Sequence, residues 1–245
     1  MIYTDIERRK DSAKQFALLI DPSKHNETSL HEAARAAASF HVDYILIGGS
    51  LVSGSVDHDI EIIRSAAKIP IIIFPGSLLQ ISNKADAILL LSLISGRNPE
   101  YLIGNHVIAA PVLKNSNLEV IPTGYMLIEN GATSSVEYIS NTKPIPAGKT
   151  DIVIATALAG EMLGLKLIYL EGGSGSNQPI NENLISKVKS NILVPLIVGG
   201  GIHSTRDLYN VYHAGADIAV VGNALENDLN NLKALAEVRN SFNKA

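Results

Sequence analysis

Glu171 ends the run KLIYLE and is followed at once by Gly172, Gly173, Ser174 and Gly175. A carboxylate carried to the end of a buried strand is costly unless it is paired or used. Glycines let a backbone approach a ligand closely and present its N–H groups. The pattern is that of a base beside a phosphate cradle, in which Glu171 orients or deprotonates a hydroxyl. A salt-bridged structural carboxylate is the alternative. Two further glycine groups end apolar runs and open toward helix starts: Gly199-Gly200-Gly201 in VGGGIHSTRD and Gly222-Asn223 in ADIAVVGNA. Backbone donors and the helix dipole favour an anion at such places. The same glycines could instead serve only to make tight turns.

Asp21, in LLIDPSK, is a hard oxygen ligand of the kind that suits Mg²⁺ held jointly with substrate phosphates, and Ser50 could supply a second oxygen. Its structural alternative is a turn former ahead of Pro22. The seven histidines show no ligand spacing, and only His25 and His203 lie near strand ends. No G-x-S-x-G elbow or Ser-His-Asp order is present, which argues against acyl transfer.

Positioning these groups takes strands whose ends converge. Apolar runs at 16–21, 44–49, 70–74, 87–91, 118–129, 167–171, 195–200 and 218–222 read as eight strands. Most are continuous rather than alternating, as in parallel strands covered on both faces. Helical patterns fill 29–40, 56–68, 99–110, 151–164, 181–191, 205–215 and 227–242. The interval PGSLLQISNKAD, after the third strand, is too short and turn-rich for a full helix. The loop-like stretch SNTKPIPAGKTD (140–151) reads as a flap near the mouth. Eight strands with intervening helices in a chain of this length make one α/β domain over 1–245, a (β/α)8 TIM barrel with a shortened or missing helix after strand 3. A doubly wound sheet is disfavoured because no GxGxxG follows the first strand. In a barrel, all the groups named above fall at the C-terminal mouth.

Composition agrees. Of the 245 residues, 46% are hydrophobic and 18% charged, with a mean hydropathy of +0.18, enough for a large core. The net charge of −4, with no basic run, gives no reason to expect nucleic acid. The absence of cysteine excludes disulfides, thiolate nucleophiles and Cys-based zinc sites. With no apolar leader and no membrane-length run, a soluble, cytoplasmic protein is expected, one still free to touch a membrane surface transiently.

Eight landmarks occur in order: LLIDPSK, ILIGGSLVSG, IIIFPGS, LSLISGRNPEYLIGNH, VIPTGYMLIE, IYLEGGSG, VGGGI and VVGNA. On these the chain resembles the geranylgeranylglyceryl phosphate synthase family, which includes the heptaprenylglyceryl phosphate synthases, over about residues 14–226. The resemblance implies a modified TIM barrel that joins the 3-hydroxyl of sn-glycerol 1-phosphate to the first carbon of a long prenyl diphosphate, geranylgeranyl diphosphate above all, releasing diphosphate. It implies Mg²⁺ on Asp21 and Ser50. It implies a glycerol-phosphate site made of Tyr169, Leu170, Glu171, Gly172, Gly173, Ser174 and Gly175, then Gly200 and Gly201, then Gly222 and Asn223. Glu171 would engage the glycerol hydroxyl. Arg97, Tyr101 and Tyr125 are candidates for contact with the prenyl diphosphate, Tyr101 as a floor or wall of the tail channel. The chain lacks DDxxD, consistent with a family that uses a single Asp. A homo-oligomer, dimer or hexamer, is expected. Two other classes compete: a flavin- or sugar-phosphate-binding barrel, for which no mouth lysine beyond Lys24 is evident, and a phosphate-ligand sensor, which Asp21 and Glu171 together argue against.

Overall fold

The computed structural model describes residues 1–49, 55–131, 133–222 and 230–243. Eight strands close into one parallel barrel in sequence order. They are β1 (Gln15–Ile20), β2 (Tyr44–Ile47), β3 (Ile71–Ile73), β4 (Ala87–Leu93), β5 (Glu119–Leu127), β6 (Leu167–Glu171), β7 (Leu196–Gly199) and β8 (Ile218–Val221). Around them lie α1 (Ile2–Arg9), α2 (Glu27–Ser39), α3 (Asp57–Ala66), α4 (Asn105–Lys114), α5 (Ser135–Ser140), α6 (Thr150–Met162), α7 (Glu182–Lys189), α8 (Thr205–His213) and α9 (Asn230–Phe242). The barrel and its single-domain character follow the expectation from the apolar runs.

Side chains alternate across each strand, which makes two cores. Leu167 and Tyr169 of β6 point into the barrel with Ile121, Ile197 and Val220. Ile168 and Leu170 point outward against the helices with Val153, Ala157 and Leu184. Between β3 and β4 the chain makes only a 3₁₀ turn, Leu78–Gln80, so the outer flank of those strands has no full helix over it. A π-helical turn, Glu100–Gly104, runs directly into α4, and together they cross that flank. The helix continues through Pro111 to Lys114, four residues beyond the 99–110 pattern, its last turn held by buried Leu113.

Two helices go beyond the sequence reading. The charged N-terminus forms α1, whose Ile6 plugs the lower end of the barrel. Glu119 of β5 accepts from the N–H groups of Ile2 and Tyr3 and so caps its first turn. The short α5 is capped by Ser134, whose hydroxyl accepts from Glu137 N–H at 3.2 Å. The stretch 140–151 is not a free flap. Ile145 donates to Leu127 O and accepts from Glu129 N–H, both at 2.9 Å, as a bridge that prolongs β5.

The lower rim is stitched by charge. Arg239 of α9 is 4% exposed; it pairs with Asp43 and donates to His41 O at 2.8 Å. Asp43 also accepts from Arg9 at 2.7 Å and from Phe16 N–H at 2.8 Å. Removing one partner of a buried pair strands the other. Because Arg9 still faces Asp43, Arg239→Ala should cost about 3 kcal/mol, the low end for a broken buried pair. In a domain of this size that lowers Tm by roughly 6–12 °C. A melting curve checks it, and an unchanged Tm would remove the stitch from the account of α9. Among the described residues no helix is long and apolar enough to cross a membrane.

Candidate active site

One cavity of about 220 Å³ opens at the C-terminal ends of the strands. At its polar end lie Asp21, Glu171, Gly173, Ser174, Gly175, Gly200, Gly201 and Gly222. Its other arm runs under the segment that has no full helix, walled by Ile88, Leu90, Tyr101, Ala109 and Leu113. Ile88 and Leu90 belong to the outer face of β4, so the apolar arm exists because one covering helix is reduced to a turn.

Glu171 reaches the mouth because it falls on the inward phase of β6, two residues beyond Tyr169. The residue is 6% exposed; its carboxylate accepts from Gly173 N–H at 2.7 Å, and the hydroxyls of Tyr169 and Tyr125 turn toward it and favour its ionised form. The register supplies that grouping, since Tyr125 of β5 lies beside Tyr169 and Leu127 beside Glu171. Burial pushes the Glu171 carboxyl above the usual carboxylate range, opposed by those three donors. The same burial, reinforced by the carboxylate, holds both tyrosine hydroxyls well above their ordinary value. Phe74 completes an aromatic wall, with ring centroids 5.4 Å from Tyr169 and 5.8 Å from Tyr125.

The glycines after β7 carry a second meaning that only the fold reveals. A Cβ on Gly199 would fall 2.2 Å from the Tyr169 hydroxyl, and one on Gly200 2.7 Å from Glu171 Oε1. Gly200 and Gly201 also have φ of +86° and +72°, a region side chains disfavour. They therefore clear space for the Tyr169–Glu171 pair as well as shaping the cavity wall. The following helix is not an open anion site: Ser204 and Asp207 cap the first turn of α8 reciprocally.

Asp21 both shapes a turn and reaches the cavity. It caps the 3₁₀ turn Pro22–Lys24, accepting from Ser23 N–H at 3.1 Å and Ser23 hydroxyl at 2.8 Å, and it lines the cavity. Among the described residues no group of three or more His, Cys, Asp or Glu could hold a metal ion. The single carboxylate of Asp21 would suit a hard cation whose remaining ligands come from a substrate and water, and not a metal caged by protein. Ser50 and Asn223, assigned to metal and phosphate from sequence, lie outside the described residues.

Three other assigned residues do not line the cavity. Leu170 points outward into the helix layer, on the phase opposite to Glu171. Gly172 does not line the cavity; its N–H donates to Gly199 O at 2.9 Å, extending the β6–β7 ladder. Arg97 is not at the cavity either, because its guanidinium turns back onto the carbonyls of Gly96 at 2.7 Å and Ile94 at 3.3 Å. Tyr101, Tyr125 and Tyr169 do line it. His203, near a strand end in the sequence, also lines it and hydrogen-bonds Ser176 O at 2.7 Å, tying the β7 turn to the glycine loop after β6. Phe74, His106 and Ala109 also line it and carry no assignment from sequence, although Phe74 and His106 fall within quoted landmarks.

The PcrB family profile matches residues 5–239. The chain belongs to this family. It is 49% identical over 233 residues to a geranylgeranylglyceryl phosphate synthase of Chitinophaga pinensis, covering 95% of this chain and 92% of that one. A relative of the same name in Spirosoma linguale is also 49% identical, covering 95% and 94%. Among solved structures, (S)-3-O-geranylgeranylglyceryl phosphate synthase from Thermoplasma acidophilum, in complex with its substrate sn-glycerol-1-phosphate, superposes with a TM-score of 0.93 at 33% identity, covering 100% and 99%. The resemblance read from the eight landmarks is thus borne out for this PcrB-family protein, together with its barrel.

Proposed function

We propose that this PcrB-family enzyme is a prenyltransferase that joins the 3-hydroxyl of sn-glycerol 1-phosphate to C1 of geranylgeranyl diphosphate, with Mg²⁺ as cofactor. The observation that carries the reading is the joining, in one cavity, of a buried carboxylate, a glycine-lined polar end and an apolar arm. A phosphate-bearing three-carbon acceptor and a long hydrocarbon donor need those two ends.

In this reading the glycines at 173, 175, 200, 201 and 222 receive the glycerol phosphate. Glu171 receives the proton of the 3-hydroxyl. The oxygen lone pair forms the new C–O bond to C1 as the bond from C1 to the diphosphate oxygen breaks, and the electron pair departs with the diphosphate. A carboxylate whose pKa is raised by burial is a stronger base, once ionised, than an exposed one. The rings of Phe74, Tyr125 and Tyr169 line the cavity beside Glu171, where their quadrupoles would favour positive charge growing on an allylic carbon. Mg²⁺, held through Asp21, would neutralise charge on the leaving diphosphate. At ~0.8 kcal/mol per buried CH₂, a tail of about twenty carbons gains on the order of 10 kcal/mol gross in the apolar arm, much of it offset by ordering. The exposed apolar side chains Val107, Ile108 and Val112 on α4 support a homo-oligomer.

A product assay tests this. The protein is incubated with labelled sn-glycerol 1-phosphate, Mg²⁺ and prenyl diphosphates from C10 to C35, with sn-glycerol 3-phosphate as the control acceptor. A hexane-extractable product after phosphatase treatment, seen only with the 1-phosphate and Mg²⁺ and largest with the C20 donor, is expected. Tight glycerol-phosphate binding without product from any donor would leave a sensor in place of an enzyme.

A further inference from the structure

Gln80 has no exposed surface, although glutamine is mostly a surface residue. It does not line the cavity, yet both ends of its side-chain amide are bound to residues that do. Its Nε2 donates to Gly49 O at 2.7 Å, just past β2, and its Oε1 accepts from Gly76 N–H at 3.2 Å, in the turn after β3. The amide is a strut between two strand ends. The backbone there has no slack: a Cβ on Gly48 would fall 2.0 Å from Phe74 O and 2.9 Å from Gln80 Oε1. On its other side Gly49 packs on Asp21, since a Cβ at Gly49 would fall 2.6–2.8 Å from three carboxyl atoms of that residue.

We infer that Gln80 is a positioning residue for the diphosphate end of the site: by fixing Gly49 it fixes the surface against which the Asp21 carboxylate rests. The inference rests on the role of Asp21 proposed above. Gln80 touches no substrate. Its action passes through Gly49 to Asp21, while Gly173 to Gly175 and Gly200 to Gly201, on strands across the barrel, are out of its reach. Loss of the strut therefore weakens one ligand and spares the other, a split that general loosening of the core would not give.

Two variants test it. Gln80→Met fills a similar volume and removes both hydrogen bonds. Gln80→Glu keeps the acceptor for Gly76 and sets a carboxylate oxygen against Gly49 O. Each full-length protein is titrated calorimetrically with magnesium pyrophosphate and, separately, with sn-glycerol 1-phosphate, alongside a melting curve. Outer residues that orient a metal ligand typically govern 10–100-fold in metal affinity, so both variants should bind magnesium pyrophosphate at least about tenfold more weakly. Their affinity for sn-glycerol 1-phosphate should stay at the wild-type value. In turnover, KM for the acceptor should hold while kcat/KM for the donor falls. Unchanged pyrophosphate binding in both variants overturns the inference. So does equal weakening of both ligands with a collapsed Tm, which would make Gln80 an ordinary core residue. Asp21→Asn, titrated in parallel, separates the two levels. If it binds magnesium pyrophosphate like wild type, the reading of Asp21 fails and the inference with it. If it loses the probe while the Gln80 variants keep it, only the inference fails.

Discussion

With Glu171 as the proposed base, Glu171→Gln should give a folded barrel that makes ether product on the order of 10²–10⁴-fold more slowly, the range that a positioned general base contributes. The substitution is nearly isosteric, and the site can absorb it. Gly173 N–H still finds an oxygen at Oε1, and the hydroxyls of Tyr125 and Tyr169 can turn to accept from the new amide. The rate of the wild-type enzyme should rise with pH through a carboxyl pKa lying above the ordinary range, because the ionised form is the base and burial disfavours it. The residual rate of the variant should lack that rise.

Stability should move the opposite way to activity. The carboxyl of Glu171 has a higher pKa folded than unfolded, so the unfolded chain gives up its proton first as pH increases. Wild type therefore holds its full stability from this group below the unfolded pKa and loses it as pH rises through the folded one. Glu171→Gln has no such loss. Its Tm relative to wild type should increase from acidic to neutral pH, while its activity stays low throughout. A variant that keeps wild-type turnover would remove Glu171 from the chemistry. A variant whose Tm falls relative to wild type as pH rises would show that the three donors outweigh burial.

Much of this site could be read along the chain because its elements report locally. Nearly every barrel strand is an apolar run ended by glycine or a polar residue, and Glu171 stands out because a carboxylate breaks such a run. What could not be read depends on side chains meeting across strands. The Tyr125–Tyr169–Glu171 contact needs the β5–β6 register, which no single stretch encodes. Leu170 shows the reverse: the period of two that turns Glu171 inward sends its neighbour outward, so a contiguous segment cannot all face the cavity. Arg97 stands at the right strand end, but the carbonyls of its own turn set its direction. The helix α1 escaped notice because eight residues with three apolar positions show too little of a period, and its partner Glu119 is more than a hundred residues away.

Gly200→Ala should be nearly as damaging to activity as loss of the base, for a steric reason. At φ +86° an alanine is strained wherever it stands, at a cost of about 1–3 kcal/mol. At this position its Cβ also meets Glu171 Oε1 at 2.7 Å, Gly173 N at 2.9 Å and Gly172 N at 3.0 Å. Two of those atoms are backbone of the loop after β6, already tied to Gly199 O and to Glu171 itself, so the carboxylate is the group that must give way. A displacement near 1 Å at a reacting centre costs about 10²-fold, and product formation should fall by at least that much. Gly131 provides the matched control. It has the same φ of +86°, and a Cβ there would meet nothing within 4 Å. Gly131→Ala should thus carry the backbone strain alone, lowering Tm by roughly 2–4 °C per kcal/mol while turnover stays at the wild-type rate. If both alanine variants melt lower and both keep wild-type turnover, Gly200 serves only the turn, and the space it leaves beside Glu171 has no part in catalysis.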